Sequence, residues 1–403
     1  MRQGDLFEPV LGFYRENDTE AGAPNSALYA ALDCPTGRDA VGKAGEPHNL
    51  AHRKVRWYQQ TLRALGLIER VPGQRGRWRL TPQSSLTPQA PGVRLVAFST
   101  DLGLALWSRS QDVFPHLDEP IHLVLTSPPY PLRQARSYGG PSESKFVDFI
   151  CEALESLVRQ LAPGGSIALN IANDLFLPGT PARSLYVERT VLALHDRLGL
   201  HLMDRLIWEA PNRLPGPTYW ACRQRQQLLG TYEHVLWLTN DPRRCISDNR
   251  RVLLPHTPRH LQLMERGGEH RQGVTGGDGA HRLRRGSFGS QTPGRIARNV
   301  LRFTVGGPDR AARNEHVREA GLFPHGAPMP RPLARFLIEF LTEPGQLVAE
   351  PFAGDFTTPI EAELTGRRWI ATELMAEYAA AGALHFVRRP GFETYFVQAG
   401  RKD

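Results

Sequence analysis

The sequence predicts an α/β protein: a doubly wound parallel sheet, preceded by a small helical domain and interrupted by an irregular basic segment. Three observations predict this fold class. From about residue 91, apolar runs of strand length alternate with amphipathic helical stretches, which is the pattern of parallel strands joined by crossover helices. Before residue 91, helical spacing gives way to a hairpin signal. Between residues 242 and 315 the periodicity is lost, and arginine and glycine accumulate.

The composition is that of an ordinary globular chain. Its 403 residues are 40% hydrophobic and 22% charged, and they can form two or three domains with sizeable cores. No apolar run approaches the ~20 residues of a membrane span, and the opening MRQGDLFEPV does not resemble a signal peptide. We therefore expect no membrane partner and a cytoplasmic, nucleoid-associated protein.

Cysteine usage and charge narrow the function classes further. The chain has no CxxC pair, which favours reduced thiols over disulfides or a zinc site, and we expect no metal. The net charge of +8 favours a polyanionic partner such as nucleic acid. The arginine enrichment that GC-rich genomes impose is the alternative explanation of this charge. The four widely spaced cysteines are Cys34, Cys151, Cys222 and Cys245.

Residues 1–90 predict a small domain of helices followed by a hairpin and a linker. Gly66 suits the end of a helix as its C′ residue. LIERV and RWRLT, joined by PGQRG, have the pattern of a basic hairpin, and QSSLTPQAPG has linker composition. This order resembles the winged-helix domain attached to some prokaryotic restriction and modification enzymes, with a small interaction domain as the alternative. The apolar residues at helical spacing are Val55, Tyr58, Leu62 and Leu65.

Residues 91–241 alternate predicted strands with helices. VRLVAFSTDLGLALW predicts a strand, a loop that carries Asp101, and the start of a helix. IHLVL predicts a buried strand that ends at TSPPY. FVDFICEALESLVRQLAPGGSIALNI predicts an amphipathic helix, a Pro-Gly-Gly break and another strand, and LHLMDRLIWEAP and YEHVLWLT predict two more.

The stretch Ser127–Tyr130, the SPPY motif, predicts a rigid turn after a buried strand. Pro128 and Pro129 each lack a backbone N–H and have φ fixed near −65°, so they cannot continue a strand ladder. They hold an extended turn whose carbonyl groups point outward, with a serine before and a tyrosine after. Such a turn offers hydrogen-bond acceptors beside an aromatic ring, and a purely structural turn is the alternative.

Residues 242–315 predict a DNA-facing segment. Arginine far outnumbers the acids, and stretches such as HRLRRGSFGS lack the spacing of a helix or strand. Such a composition suits a segment that orders on binding nucleic acid. A solvated loop is the alternative.

Residues 316–403 predict a βαβ unit. The helix RPLARFLIEFL precedes the strand QLVAE, a glycine loop, a helix that opens at TTPIEAEL, and the strand RRWIATE, which ends at Glu373. The backbone of such a loop can approach an adenosine-containing cofactor closely, and an acid at the end of the second strand can accept from ribose hydroxyls. A surface position for Glu373 is the alternative.

Several stretches, taken in order, resemble the amino-methyltransferases that modify exocyclic amines of DNA bases. These are TSPPY, LVRQLAPGGSIALNI, IWEAPNRLP, PHGAPMPRPLARFLIEFLTEPG and AEPFAGDFTT. The resemblance covers about Val93 to Val387. The catalytic motif precedes the cofactor motif, with the basic segment between them, which is the permuted arrangement called the β group. The resemblance implies a Rossmann-like methyltransferase sheet and a target-recognition region at residues 242–315.

The resemblance also implies the substrates and the roles of the SPPY motif. S-adenosylmethionine is the expected methyl donor, with S-adenosylhomocysteine as product, and double-stranded DNA with a short specific site is the expected partner. Ser127 and the carbonyl of Pro128 would accept the hydrogens of the target amine, beside Pro129, and Tyr130 would stack on the flipped base. No covalent intermediate is needed, and the chain lacks the Pro-Cys pair of carbon-5 cytosine enzymes.

Further contacts follow from the same resemblance. Asp101 is expected at the adenine end of the cofactor, with a helix cap as the alternative, and Phe352 has a core position as its alternative. DNA contacts are expected at Arg282, Arg284 and Arg285. The cofactor contacts implied by the resemblance are Asp101, Ala327, Pro351, Phe352, Ala353, Gly354, Asp355, Phe356, Thr357 and Glu373.

Two departures from the family pattern concern the cofactor loop. GDFTT stands where the family has GSGTT or GSNTT, and Glu350 stands where an aspartate is usual. We expect Phe356 to pack beside the cofactor. Asp355 is expected to face the cofactor's ammonium or to lie in solvent, because an unpaired buried charge costs several kcal/mol.

These motifs predict a DNA N4-cytosine methyltransferase of restriction–modification or orphan type. The serine form of the motif is found more often with N4-cytosine, whereas aspartate or asparagine forms are found with adenine. An N6-adenine enzyme is the first alternative. A winged-helix regulator with an inactive methyltransferase body is an alternative from another class. A cognate restriction endonuclease and a homodimer are partners that the sequence leaves open.

Overall fold

The computed structural model describes residues 7–37, 40–41, 47–64, 67–81, 94–131, 140–213, 219–271, 273–275 and 281–394. Within these residues, the N-terminal unit contains three helices, a two-stranded antiparallel sheet of β2 and β3, and a sheet of order β1-β5-β4, in which β4 and β5 form an antiparallel hairpin. Its elements are α1 (Phe7–Glu16), β1 (Ala23–Pro24), α2 (Asn25–Ala31), β2 (Ala40–Val41), β3 (Pro47–His48), α3 (Leu50–Ala64), β4 (Ile68–Arg70) and β5 (Arg77–Leu80).

The predicted N-terminal helix and hairpin are present. The apolar spacing becomes the buried face of α3, since Val55, Tyr58 and Leu62 are all buried. Leu65, Gly66 and the predicted linker at 83–92 lie outside the described residues. The unit packs on the rest of the protein, because the ring of Trp57 lies 4.0 Å from that of Phe323, centroid to centroid.

The remaining elements build one large sheet and its covering helices. They are β6 (Leu95–Ser99), β7 (Gly103–Trp107), α4 (Ser110–Val113), β8 (Ile121–Thr126), α5 (Glu143–Arg159), β9 (Leu161–Ala172), α6 (Tyr186–Leu198), β10 (His201–Glu209), β11 (Tyr232–Thr239), α7 (Pro258–Glu265), β12 (Gly273–Thr275), β13 (His281–Leu283), β14 (Val300–Arg302), α8 (Pro308–Glu319), α9 (Arg331–Leu341), β15 (Leu347–Glu350), α10 (Thr357–Leu364), β16 (Arg368–Glu373), α11 (Ala376–Ala383) and β17 (Glu393–Thr394).

The large sheet has the order β14-β10-β11-β9-β8-β15-β16-β7-β6-β17. Its five central strands, from β9 to β7, are parallel, as the sequence predicts. The predicted parallel arrangement does not extend to the edges of the sheet, where β11 and β6 run antiparallel to their neighbours. A three-residue turn joins β6 to β7, and so short a connection can join only antiparallel strands.

Helices cover both faces of the sheet. Along β8, Val124 belongs to one hydrophobic core together with residues of α5 and α6. Its neighbours Leu123 and Leu125 belong to the other core, with residues of α9, α10 and α11. Successive strand residues point to opposite faces, so a run that is apolar throughout marks a strand buried on both sides. This confirms the doubly wound arrangement.

The basic segment is more regular than its composition suggests. It contains α7, the β12–β13 hairpin and β14, which pairs in parallel with β10. Helix α8 starts within the segment and runs past its predicted end at residue 315. Among the described helices, none is long and apolar enough to cross a membrane.

Candidate active site

Four parallel strands end at the same edge of the sheet and place their following residues around one cavity of about 390 Å³. In open α/β sheets, ligands bind at this carboxyl edge. The SPPY motif follows β8, the glycine loop follows β15, and Glu373 ends β16. The lining includes Ser127, Pro128, Pro129, Tyr130, Ala327, Pro351, Phe352, Ala353, Gly354, Asp355, Thr357 and Glu373 from the predicted set.

The SPPY motif forms a hydrogen-bonded unit at one end of the cavity. The hydroxyl oxygens of Ser127 and Tyr130 lie 2.8 Å apart. Tyr130 Oη also lies 3.1 Å from Oε2 of Glu233 and 3.3 Å from the carbonyl of Asn170. Burial, and then the nearby charge of Glu233, raise the pKa of Tyr130 well above its usual value. The phenol therefore remains protonated and anchored.

Glu373 organises the glycine loop. Its carboxylate accepts from the backbone N–H groups of Gly354 and Met375, both at 2.7 Å. Burial raises the pKa of Glu373 to about 7. Gly354 has φ of 51°, and a Cβ there would lie 3.3 Å from the His325 ring. A glycine is therefore favoured at this left-handed position beside a ring that lines the cavity.

Glu350, the replacement for the usual aspartate, connects the catalytic strand to the cofactor loop. Its Oε1 accepts from the Thr126 hydroxyl and from the N–H of Phe352, the latter at 3.1 Å. Its Oε2 lies 2.9 Å from the hydroxyl of Thr358 at the start of α10. Burial raises the pKa of Glu350 to about 8. At neutral pH this glutamate is therefore mostly protonated, which lowers the cost of burying it.

Asp355 is buried and does not lie in solvent, and the protein itself supplies its counter-charge. Its side chain is 8% exposed, and Oδ2 accepts from the Arg313 guanidinium at 2.9 Å. His385 Nε2 lies 3.6 Å from Oδ1. Burial opposes ionisation of Asp355, but His385 and Arg313 outweigh it and lower its pKa below the usual value. The unusual acid of GDFTT is thus paired with α8.

The expectation that Phe356 packs beside the cofactor does not fit its position. The side chain is fully buried in the core, 5.1 Å from the Phe98 ring and against Gly382, and it is not among the cavity-lining residues. Its backbone is left-handed, with φ 55° and ψ 31°, which is rare for a bulky residue. This conformation leaves the ring in the core under β6 and α11.

Asp101, which was expected at the adenine end of the cofactor, does not line the cavity. Asp101 lies in the turn between β6 and β7, where its N–H donates to the carbonyl of Pro390 at 3.0 Å. That turn is at the opposite edge of the sheet from the cavity. The segment GLALW is strand β7 and not the start of a helix, so the carboxyl end of this strand is Trp107. Residues 108–111 line the cavity there instead.

Several lining residues were missed by sequence reasoning. His325 and Met329 lie in the stretch PHGAPMPRPL, in which the family resemblance implies a cofactor contact only for Ala327. Phe149 comes from α5 and packs 5.6 Å from the Phe352 ring. No local motif indicates this pairing, because the two residues are about 200 positions apart. The further lining residues are Ser108, Arg109, Ser110, Gln111, Gly140, Pro141, Phe149, His325, Pro328, Met329, Glu350, Thr358, Leu374 and Tyr378.

The three selected arginines are not part of the cavity lining. Arg282 belongs to β13, and Arg284 and Arg285 are exposed in the turn that follows. A contact of these residues with DNA stays a prediction. Within the described ranges, no group of three His, Cys, Asp or Glu side chains is arranged to hold a metal ion.

Known proteins resemble this chain over the same region. Type II methyltransferase M.PvuII from Proteus hauseri is 31% identical over 272 residues, covering 67% of this chain and 79% of the relative. Type II methyltransferase M.BglII from Bacillus subtilis is 22% identical over 262 residues, covering 65% and 62%. The solved structure of the PvuII DNA methyltransferase (cytosine-N4-specific) superposes with a TM-score of 0.54 at 26% identity, covering 72% of this chain and 88% of that one.

The family model described as DNA methylase matches residues 121–383. This range runs from β8 through α11, and it includes the SPPY motif, the basic segment, the glycine loop and Glu373. The match therefore covers both ends of the cavity and more than half of the chain. The chain belongs to this DNA methylase family, N6_N4_Mtase.

Proposed function

We propose that the protein transfers a methyl group from S-adenosylmethionine to the exocyclic N4 of cytosine in duplex DNA, after the base has been flipped out. The observation that carries this proposal is that the SPPY motif, the glycine loop and Glu373 line the same cavity, at the ends of the neighbouring strands β8, β15 and β16. Such an arrangement brings an amine and a methyl donor within one site. The N4 assignment is supported by the serine of the motif and by the cytosine-N4 specificity of the PvuII enzyme.

The residues present fit the cofactor. The Thr357 hydroxyl lines the cavity and, within the described structure, is buried without a hydrogen-bond partner. Buried polar groups are normally satisfied, so this hydroxyl fits a bound ligand that completes its hydrogen bonding. The Glu373 carboxylate keeps acceptor capacity for ribose hydroxyls beyond its two backbone bonds. Thr357, the loop around Gly354, and Glu373 would hold S-adenosylmethionine, which supplies an electrophilic methyl group on a sulfonium.

The SPPY motif activates the amine through hydrogen bonds. The lone pair of an exocyclic amine is delocalised into the ring, which makes it a poor nucleophile. Ser127 Oγ and the carbonyl of Pro128 accept its two hydrogens, so the nitrogen becomes more tetrahedral and its lone pair is localised. The ring of Tyr130 stacks on the flipped base and partly offsets the cost of unstacking. Positioning and electrostatics supply most of the rate enhancement.

The chain order supports the permuted β arrangement, with residues 91–241 as the catalytic half, 242–315 as the target-recognition region and 316–403 as the cofactor half. In the N-terminal unit, residues 1–90, the described elements follow the order helix, strand, helix, two short strands, helix, hairpin, and we assign this unit as a winged helix that contacts duplex DNA. Type II relatives support a place in a restriction–modification system in the cytoplasm. A cognate endonuclease and a homodimer stay predictions.

An N6-adenine activity is the second candidate, because the family model includes both classes. The two activities can be separated by incubating the protein with tritiated S-adenosylmethionine and mixed-sequence duplex DNA, then digesting the DNA and identifying the labelled nucleoside. We expect N4-methylcytosine from the wild type and none from Ser127→Ala. N6-methyladenine would support the second candidate. A wild type that binds S-adenosylhomocysteine but modifies neither base would refute both, and the regulator with an inactive body would replace them.

A further inference from the structure

We propose that Glu233 is a positioning residue, which acts through Tyr130 to turn the lone pairs of Ser127 toward the target amine. This inference rests on the proposed function and adds a residue to it. Glu233 lies on β11, and its side chain is 9% exposed. Glu233 itself is not among the cavity-lining residues, whereas Ser127 and Tyr130 are. Its effect must therefore pass through the tyrosine.

Three donors converge on the carboxylate of Glu233. Tyr130 Oη lies 3.1 Å from Oε2, and Nδ2 of Asn170 lies 3.2 Å from the same oxygen. The guanidinium of Arg213 donates to Oε1 at 3.1 Å. The amide of Asn170 also donates to the carbonyl of His234 at 3.1 Å, which fixes its orientation with the nitrogen toward Glu233. Only a side chain whose two terminal atoms both accept hydrogen bonds, such as a carboxylate, satisfies this set of donors.

The direction of the hydrogen bonds follows from this geometry. An ionised carboxylate has no proton to give, and it lies closer to the Tyr130 hydroxyl, at 3.1 Å, than the carbonyl of Asn170 does, at 3.3 Å. The Tyr130 hydroxyl therefore donates to Glu233. Its oxygen is then left to accept from the Ser127 hydroxyl, 2.8 Å away. The single hydroxyl hydrogen of Ser127 is then used in its hydrogen bond to Tyr130. The lone pairs of Ser127 Oγ are therefore free to accept from the hydrogens of the base amine. A reversed chain would point the Ser127 proton at the amine and oppose binding.

Charges around Glu233 decide how much of it is ionised. Burial raises its pKa, and Arg213, Tyr130 and Asn170 oppose that effect, while Asp174 adds to it. Burial, and then the nearby charge of Glu233, raise the pKa of the Tyr186 phenol on α6. Among the groups that act on the pKa of Glu233, Arg213 is the cation, and its ion pair with Glu233 is the main reason for that carboxylate to remain charged.

The isosteric variant Glu233→Gln tests this inference. A glutamine cannot satisfy three donors, because its amide nitrogen must face either Arg213 or the Tyr130–Asn170 pair. We expect kcat for methylation to fall about 10²-fold, while the KM for DNA and the affinity for S-adenosylhomocysteine change by less than about threefold. Glu209→Gln is the matched control. It removes an acid from the neighbouring strand, where Glu209 pairs with the exposed Arg302, and it should leave kcat unchanged.

Tyr130→Phe provides a second variant, since it breaks the same chain while removing only one oxygen. We expect a similar loss, and we expect the double variant with Glu233→Gln to be no slower than either single one, because both act through one chain. The ¹³Cζ resonance of Tyr130, labelled and assigned by its loss in Tyr130→Phe, should shift in Glu233→Gln without any substrate present. That shift reports the lost hydrogen bond independently of activity.

Two outcomes would overturn the inference while leaving the proposed function intact: a Glu233→Gln enzyme within threefold of the wild-type kcat, or losses that multiply in the double variant. A Glu233→Gln protein that fails to fold leaves the decision to Tyr130→Phe, whose near wild-type kcat would equally reject it. A wild type that methylates neither base would instead reject the proposed function, and this inference with it.

Discussion

Removal of the Arg313 guanidinium should destabilise the cofactor loop more than the loss of any exposed arginine on α8. Arg313 is 16% exposed and its partner Asp355 is 8% exposed, with 2.9 Å between Nη1 and Oδ2. An uncompensated buried charge costs about 3–5 kcal/mol, whereas exposed ion pairs contribute about 0–1 kcal/mol. Because both side chains of this pair are largely buried, we expect the loss of Arg313 to cost nearly as much as an uncompensated buried charge. His385 compensates the charge of Asp355 only in part. We therefore expect Arg313→Met to lose about 3 kcal/mol.

Urea unfolding followed by tryptophan fluorescence measures this loss, and calorimetry with S-adenosylhomocysteine measures its effect on the site. The matched control is Arg318→Met on the same helix, whose pair with Glu315 is exposed on both sides, and it should cost less than about 1 kcal/mol. A double variant, Arg313→Met with Asp355→Asn, removes both charges and should recover most of the stability. Equal stability of Arg313→Met and Arg318→Met would refute the argument that Asp355 depends on this pair.

Further predictions follow from other parts of the site. Because the pKa of Glu373 is raised to about 7 and its ionised form accepts from ribose hydroxyls, affinity for S-adenosylhomocysteine should rise about tenfold from pH 6 to pH 8; Glu373→Gln should lose most of this rise. Replacement of Arg284 and Arg285 by alanine should reduce the salt slope of DNA binding by about two, and an unchanged slope would exclude phosphate contacts. Phe356→Ala should cost about 3–5 kcal/mol in unfolding experiments, because the ring is core; a neutral variant would contradict that placement. Ser127→Ala should lower turnover about 10²-fold or more while leaving cofactor affinity within a few fold, and near wild-type turnover would remove it from the mechanism.

The central fold could be predicted because its elements carry strong local signals. The apolar run IHLVLT became β8 and the helical spacing of RPLARFLIEFL became α9, since burial on two faces or on one stripe requires those patterns. The turn chemistry of the two prolines and of Gly354 was equally local. The order of the motifs indicated that the SPPY turn and the glycine loop are the catalytic and cofactor motifs of one enzyme family, and the two do line the same cavity.

The misplacement of Asp101 shows where local pattern reading fails. DLGLALW has apolar residues that fit either a helix start or a short strand, and a five-residue run cannot decide between them. Pairing with β16, from Gly103 opposite Trp369 to Trp107 opposite Glu373, resolves it as a strand. That pairing partner lies more than 260 positions away along the chain, so the choice depended on tertiary contact.

The sequence by itself determined the fold class, the SPPY turn, the glycine loop and Glu373, because each depends on backbone geometry and on periodicities within a few residues. Only the tertiary structure decided what surrounds the charges and the large side chains. Asp355 acquired Arg313 from α8, Phe356 turned into the core, and Glu233 came to lie beside Tyr130 from more than 100 positions away. The physical reason is that the energy of a buried polar or aromatic group depends on its neighbours in space, and those neighbours are set by strand order and helix packing.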